Sequence, residues 1–348
     1  MLKRSIHAAR QAGAAVSRSR GRRVTLAATA VAASLVVAGC SSGSGGDSSE
    51  DTGSVAKGHF PAKVATKFGD VTVKKQPKRV VALGWGDAET ALALGVQPVG
   101  ASDWLAFGGD GVGPWAKGTY DKSPKKIGTL EPEYEKIAAL QPDLILDTKS
   151  SGDQKRYDTL SKIAPTVGVP KGGDQYLTDW QDQTEMVADA LGLHDKGQAL
   201  IARTKAKFAA VAKAHPEFKD KTITSGSLTS EGFGAYVRGS GRVDFLERLG
   251  FKNNPWVEKQ GGNSFFISVA RENVNKLDSD LVVMEPIGVS ASTIRNDALF
   301  KKVPAVQKGH DVVFELNSAS AQAFATDSVL SVNYALDKVV PQFAKALK

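Results

Sequence analysis

Arg79-Val80-Val81-Ala82-Leu83-Gly84-Trp85-Gly86-Asp87 reads as a short strand that runs straight into a turn and a helix. Residues 80–83 are all apolar, so this strand has no polar face and must be covered on both sides, as in a parallel layer. Glycines flank Trp85 where the chain has to turn. Asp87 is placed to cap a helix over 88–94, which stops at Gly95. Residues 96–101 return as a second apolar strand. Strand, helix and strand again, with the strands apolar throughout, predict α/β layers.

The alternation continues in both directions. Residues 65–73 carry Phe68, Val71 and Val73 in an edge strand or hairpin ahead of the first unit. A helix is predicted over 134–140, stopped at Gln141-Pro142-Asp143, with a strand at 144–146. The longest helical pattern covers about 195–214, rich in Ala and Lys and closed by Pro216. Beyond it the βα rhythm restarts: strands at 221–225, 281–284 and 312–316, and helices at 243–249 and 328–340. The two halves echo one another. Glu135-Lys-Ile-Ala-Ala-Leu140-Gln-Pro-Asp143-Leu-Ile145 aligns with Glu272-Asn-Val-Asn-Lys-Leu277-Asp-Ser-Asp280-Leu-Val282, with Glu five residues before Leu and eight before Asp in both. The expected fold class is therefore α/β, with two Rossmann-like lobes (58–194 and 217–348) joined by a single long interdomain helix (195–216).

The N-terminus carries a different message. Residues 1–39 hold seven Lys and Arg, no acidic residue, and an apolar run of 15 residues over 24–38. That is the layout of an export signal, and the run is short of the roughly 20 residues that span a bilayer as a helix. The run ends Val37-Ala38-Gly39-Cys40, which resembles a bacterial lipobox and implies cleavage at 39 and a diacylated Cys40. Residues 41–57 are Gly/Ser-rich and acidic, as expected of a flexible tether. The expected location is the extracytoplasmic face of the cell membrane. The formal charge of +8 belongs mostly to the signal, since 38 basic and 37 acidic residues remain after it. No basic surface is left to argue for a nucleic-acid partner. The lone cysteine also excludes an intramolecular disulfide.

Catalytic constellations do not assemble. Gly111-Val-Gly113-Pro-Trp-Ala116 follows no strand and contains Pro114, so it reads as a loop rather than a dinucleotide fingerprint. There is no Walker-type loop, and Gly239-Ser240-Gly241 lacks the spacing of a nucleophile elbow. His59, His194, His215 and His310 are scattered, so no metal site is expected. Aromatic and arginine side chains instead gather at strand-to-helix junctions: Trp85 and Trp104 follow predicted strands, Trp115, Tyr176 and Trp180 lie in neighbouring loops, and in the second half Tyr236 and Arg238 sit in a Gly-rich turn and Arg295 in a loop after a strand. Ligands of open α/β sheets bind outside the carboxyl ends of the strands. Rings with one or two arginines there describe a pocket for a bulky, oxygen-rich anion or metal chelate.

Residues 79–83, Gly95-Val-Gln-Pro-Val-Gly100, 137–145, Phe300-Lys-Lys-Val-Pro-Ala-Val-Gln-Lys-Gly309 and 331–341 resemble the periplasmic-type binding proteins of iron-siderophore ABC importers, from about residue 60 to the end of the chain. The resemblance implies two α/β lobes on one long helix and a binding protein rather than an enzyme, acting as a monomer without a cofactor. Its ligand would be a ferric siderophore, best a hydroxamate, whose iron the siderophore itself coordinates. Haem, a corrinoid or a catecholate siderophore are the alternative cargoes. The resemblance further implies that Glu135 and Glu272 dock on an ABC permease, and that Tyr236-Val-Arg238 matches an aromatic-x-Arg whose guanidinium meets hydroxamate oxygens. Tyrosine stands here where tryptophan is usual.

Overall fold

A computed structural model describes residues 58–128, 130–261 and 264–348. The signal segment, Cys40 and the tether lie outside the described residues. Strands β1 (Ala62–Thr66) and β2 (Gly69–Val73) form an antiparallel hairpin where the sequence predicts an edge strand or hairpin at 65–73, turning at Lys67-Phe68. The first sheet follows, with β3 (Val80–Ala82), β4 (Gly100–Ser102), β5 (Lys125–Ile127), β6 (Leu144–Leu146) and β7 (Thr166–Val167) in the order β5-β4-β3-β6-β7, all parallel. The strand expected over 96–101 bonds to its neighbours only from Val99, because Pro98 has no N–H to give a ladder, and its regular part is Gly100–Ser102.

The second sheet contains β8 (Thr222–Thr229), β9 (Gly232–Tyr236), β10 (Lys252–Asn253), β11 (Phe266–Val269), β12 (Leu281–Pro286) and β13 (Asp311–Val313). Its order is β11-β9-β8-β12-β13, with β10 also on β8. Strands β10, β12 and β13 run parallel to their neighbours, while β9 and β11 pair antiparallel. The cause is local. Only two residues separate Thr229 from its register partner Gly232, a hairpin with no room for a crossover helix. Strand β8 extends four residues past the expected 221–225; its far half, Gly226 to Thr229, has Leu228 as its single large apolar residue and carries little hydrophobic signal.

The helix His194–Ala214, 21 residues long, links the two sheets in the chain. Gly197, Ile201, Thr204 and Phe208 form its buried stripe, at the three- and four-residue spacing of one helix face. A Cβ on Gly197 would lie 2.4 Å from that of Ala188, so this glycine lets the helix Trp180–Ala190 pack closely. A second tie exists. The helix expected at 328–340 spans Val329–Lys338 and packs on the long helix and on the first-lobe helix Asp87–Ala93. It is not the last helix, because Val340–Ala346 follows with Pro341 in its first turn, where a missing N–H costs nothing.

The internal echo has a structural meaning. Asp143 accepts from the backbone N–H groups of Lys78 and Arg79, both at 2.8 Å, at the entry to β3. Asp280 accepts from Thr222 N at 2.8 Å, at the start of β8. Each aspartate precedes the strand that pairs in parallel with the one it anchors. The echoed glutamates differ: Glu135 lies in the α-helix Tyr134–Ala139 and Glu272 in the 3₁₀ segment Arg271–Leu277.

Candidate functional site

The turn after β3 is built to present Trp85. A Cβ at Gly84 would meet Asp87 Oδ2 at 2.3 Å and Lys149 N at 2.8 Å, and Gly86 has φ of 83°, a left-handed conformation that favours glycine. Asp87 does not cap its helix as expected, because Gly86 holds the cap position. Its carboxylate turns back instead, accepting from Gly84 N at 3.1 Å, Thr148 N at 3.0 Å, the Thr148 hydroxyl and Gln183 Nε2 at 2.8 Å. Gln183 also donates to Trp85 O at 2.8 Å, so one buried cluster fixes the loop. Burial pushes the Asp87 carboxyl up to about 6 despite these donors.

Trp85 is the middle ring of a stack. Trp104 lies 4.2 Å away on one face and Tyr176 lies 4.0 Å away on the other. Phe107, Trp115 and Tyr334 continue edge-on and tilted contacts from Trp104 across to the second lobe. Gln175 and Tyr176 both have positive φ, 54° and 65°, and are held by bonds to the Ser151 and Ser150 carbonyls. Such paired left-handed residues cost energy and persist where the surroundings over-determine them.

Trp85, Trp104 and Leu105 from the first lobe and Tyr236, Arg242, Phe265, Glu285, Pro286, Ile287, Asn317 and Gln322 from the second line one open cavity of about 260 Å³. Trp85, Trp104, Glu285 and Asn317 lie at or just beyond the carboxyl ends of β3, β4, β12 and β13, where open α/β sheets bind ligands. Ile287, 45% exposed, adds an apolar edge. A larger depression of about 480 Å³ is lined by Arg79, Gln97, Val99 and Lys125 at the opposite, amino ends of the first-lobe strands. It has neither the aromatic lining nor contributions from both lobes.

The polar groups of the cavity converge on its second-lobe side. Arg242 Nε donates to Glu285 Oε2 at 2.7 Å, and the guanidinium carbon lies 4.2 Å from the centre of the Tyr236 ring. Burial opposes the Arg242 charge, but Glu285 and Tyr236 outweigh it and hold the guanidinium protonated. Burial likewise pushes the Glu285 carboxyl up, against the pull of Arg242. Among the described residues, Glu285 Oε1 and the indole nitrogens of Trp85 and Trp104 are buried without a hydrogen-bond partner. Buried polar atoms are normally satisfied, and these three belong to residues that line one cavity.

The family model described as periplasmic binding protein matches residues 80–318. The chain belongs to that family. It is made of solute-binding proteins, not enzymes. The chain is similar to the Probable siderophore-binding lipoprotein YfiY of Bacillus subtilis, with 28% identity over 89% of this chain and 95% of the relative. It is also similar to the iron(3+)-hydroxamate-binding protein FhuD of B. subtilis, at 27% identity over 76% and 83% of the two chains. Among solved structures, PiaA of Streptococcus pneumoniae in complex with ferrichrome superimposes with a TM-score of 0.71 at 26% identity, covering 82% of this chain and 98% of that one.

In this periplasmic binding protein the predicted residues divide into groups. Trp85, Trp104 and Tyr236 line the cavity, and Tyr176 backs it through its stack with Trp85. Trp115 lies behind, its Nε1 donating to Glu89 Oε2 at 2.6 Å. Trp180, expected in a loop, begins a helix and is 2% exposed in the core against Phe208. Arg238 is turned away: its side chain is 65% exposed, and Nε and Nη2 hold Glu247 at 3.0 and 2.7 Å. Arg295 lies in the helix Ala291–Asn296 rather than a loop, and binds Glu315 and the Val313 carbonyl. Glu135 and Glu272 are exposed, each in the first turn of its helix, and among the described residues neither carboxylate has a partner.

Arg242 and Glu285 were not anticipated. Both leave a trace in the sequence. Arg242 opens the helix after Gly239-Ser240-Gly241, and Glu285 is a carboxylate inside the otherwise apolar strand Leu281–Pro286. The scattered histidines yield two pairings with carboxylates, one of them His215 with Glu217 at 2.8 Å. Asp189 and His194 meet at 2.6 Å with Glu185 beside them, an outer-surface group unconnected with the cavity lining.

Proposed function

We propose that this chain captures a ferric siderophore, best a hydroxamate of the ferrichrome or ferrioxamine type, and hands it to an ABC permease. One observation carries this reading. Two tryptophans of one lobe face a tyrosine and an ion-paired arginine of the other across a single cavity. The iron would be coordinated wholly by the siderophore. The protein would then read only the chelate's outer surface, its methylene arms on Trp85, Trp104 and Tyr236 and its coordinating oxygens at Arg242. Arg242 engages Glu285 through Nε, and among the described residues its terminal nitrogens make no hydrogen bond. A guanidinium so placed suits chelate oxygens, because its planar fork donates in several directions at once. The cavity seats one face of a chelate and leaves the rest toward solvent. The names of the FhuD and PiaA relatives support a hydroxamate ligand.

The same reading includes the parts of the chain outside the cavity. Cys40, diacylated after cleavage at 39, would anchor the protein at the extracytoplasmic face of the cell membrane, with 41–57 as tether. No helix among the described residues is long and apolar enough to cross a membrane. Glu135 and Glu272 would be the permease contacts of a monomer. The reading is tested by tryptophan-quenching titration of the soluble chain from residue 41 with ferrichrome and ferrioxamine B. Saturable quenching is expected, and no binding of any ferric chelate would refute it.

A further inference from the structure

Resting on the siderophore reading, we infer that Glu285 sets the charge class of the chelate: by neutralising Arg242 it makes the cavity select uncharged ferric complexes and turn away anionic ones. Arg242 and Glu285 are the only Lys, Arg, His, Asp or Glu residues among those lining the cavity, and they are 2.7 Å apart. A carboxylate this close to a guanidinium cancels its field at a distance, so the floor presents almost no net charge to a ligand several ångströms away. No lysine or second arginine among the lining residues restores a positive potential. The next ion pair between the lobes, Lys149 with Asp327 at 2.8 Å, is balanced as well.

The second oxygen of Glu285 strengthens the argument. Oε1 is buried and without a partner among the described residues, in a side chain 5% exposed. An anionic oxygen brought to Arg242 would be repelled by this carboxylate, whose charge no second donor among the described residues offsets. A neutral chelate meets no such repulsion. Three hydroxamates neutralise Fe(III) and leave a complex of net charge zero, whereas three catecholates leave three negative charges. The ion pair therefore divides the two kinds of chelate by charge, while the rings accept the bulk of either.

The test compares the soluble chain with its Glu285→Gln variant, titrated by tryptophan quenching with ferrichrome (neutral) and ferric enterobactin (trianionic). The substituted amide keeps an acceptor for Arg242 but removes the negative charge. The wild type is expected to prefer ferrichrome. The variant should shift the ratio of the two affinities toward ferric enterobactin by at least tenfold, which is about 1.4 kcal/mol. If a thermal melt shows the variant unfolded, Arg242→Gln takes its place; leaving Glu285 uncompensated, it should widen the preference for the neutral chelate. An unchanged ratio in a folded variant, or a wild type that prefers the trianionic chelate, overturns the inference and leaves the siderophore reading standing. A wild type that binds neither these chelates nor any other ferric siderophore removes both.

Discussion

Lys149, in the loop after β6 of the first lobe, holds Asp327 of the second through a bond of 2.8 Å, and both side chains are about 95% buried. Asp327 sits at the end of the helix Ala319–Thr326 with φ of 50°, and a Cβ on Gly241 would press on its carboxylate. The next residue, Ser328, donates to the first-lobe Glu89. Arg248 of the second lobe reaches Asp179, the N-cap of the helix Trp180–Ala190, at 3.3 Å. Buried charges tolerate separation poorly, so these contacts bind the lobes to one arrangement more strongly than the linking helix alone would.

Removing one partner should therefore be costly. Lys149→Met leaves Asp327 buried and uncompensated, and the expected loss is about 3–5 kcal/mol in chemical unfolding. A loss below about 1 kcal/mol, the worth of a solvated surface pair, would mean that water reaches this pair and that the lobes separate readily.

The two arginines near Tyr236 should behave differently. Arg242→Ala should weaken binding of ferrichrome by about 1.5–3 kcal/mol, the worth of hydrogen bonds to a charged group. Arg238→Ala should leave it within about twofold, because that guanidinium serves Glu247 at the surface. Isothermal titration of both variants checks this, and the reverse order would return the ligand contact to Arg238.

Asp87 gives the stability a pH dependence with a defined sign. Its folded pKa is raised from 3.8 to about 6, so between about pH 4 and 6 the folded chain binds more protons than the unfolded one. Its contribution is then fully present below about pH 4 and lost as pH rises through about 6. The shift corresponds to about 3 kcal/mol. Urea midpoints of wild type and Asp87→Asn across about pH 4–7 should diverge by that order, and parallel curves would show Asp87 ionised throughout.

Glu135 and Glu272 are predicted to matter only to transport. The double alanine variant should bind ferrichrome like wild type and melt at the same temperature, since neither carboxylate has a partner among the described residues. Cells carrying it should fail to import ⁵⁵Fe-ferrichrome. Normal uptake would place the permease contact elsewhere.

Strands β3, β6 and β12 were legible because they are continuous apolar runs, whereas β5, β7, β10 and β11 were not, and the long helix was legible because nothing interrupts its 3.6-residue period. The aromatic part of the cavity was legible too, since Trp85 and Trp104 directly follow strands. What escaped depends on orientation. Arg238 and Arg242 lie one helical turn apart on the two sides of Gly239-Ser240-Gly241, and only the turn at Gly239, with φ of 87°, decides which one reaches Tyr236. Trp180 resembles the other ring residues in sequence, yet the cap at Asp179 starts a helix there and rolls the indole into the core. The antiparallel β9 was hidden because its strand, Gly-Phe-Gly-Ala-Tyr, is mostly glycine and alanine.

The most direct measurement is a tryptophan-quenching titration of Trp85→Ala/Trp104→Ala beside the wild-type chain, with ferrichrome as ligand and circular dichroism confirming the fold. The cavity between the lobes predicts saturable binding to the wild type and an affinity at least tenfold weaker in the double variant, because both rings would face the chelate. Equal affinities measured by isothermal titration would contradict the account, placing the ligand somewhere other than between Trp85 and Tyr236.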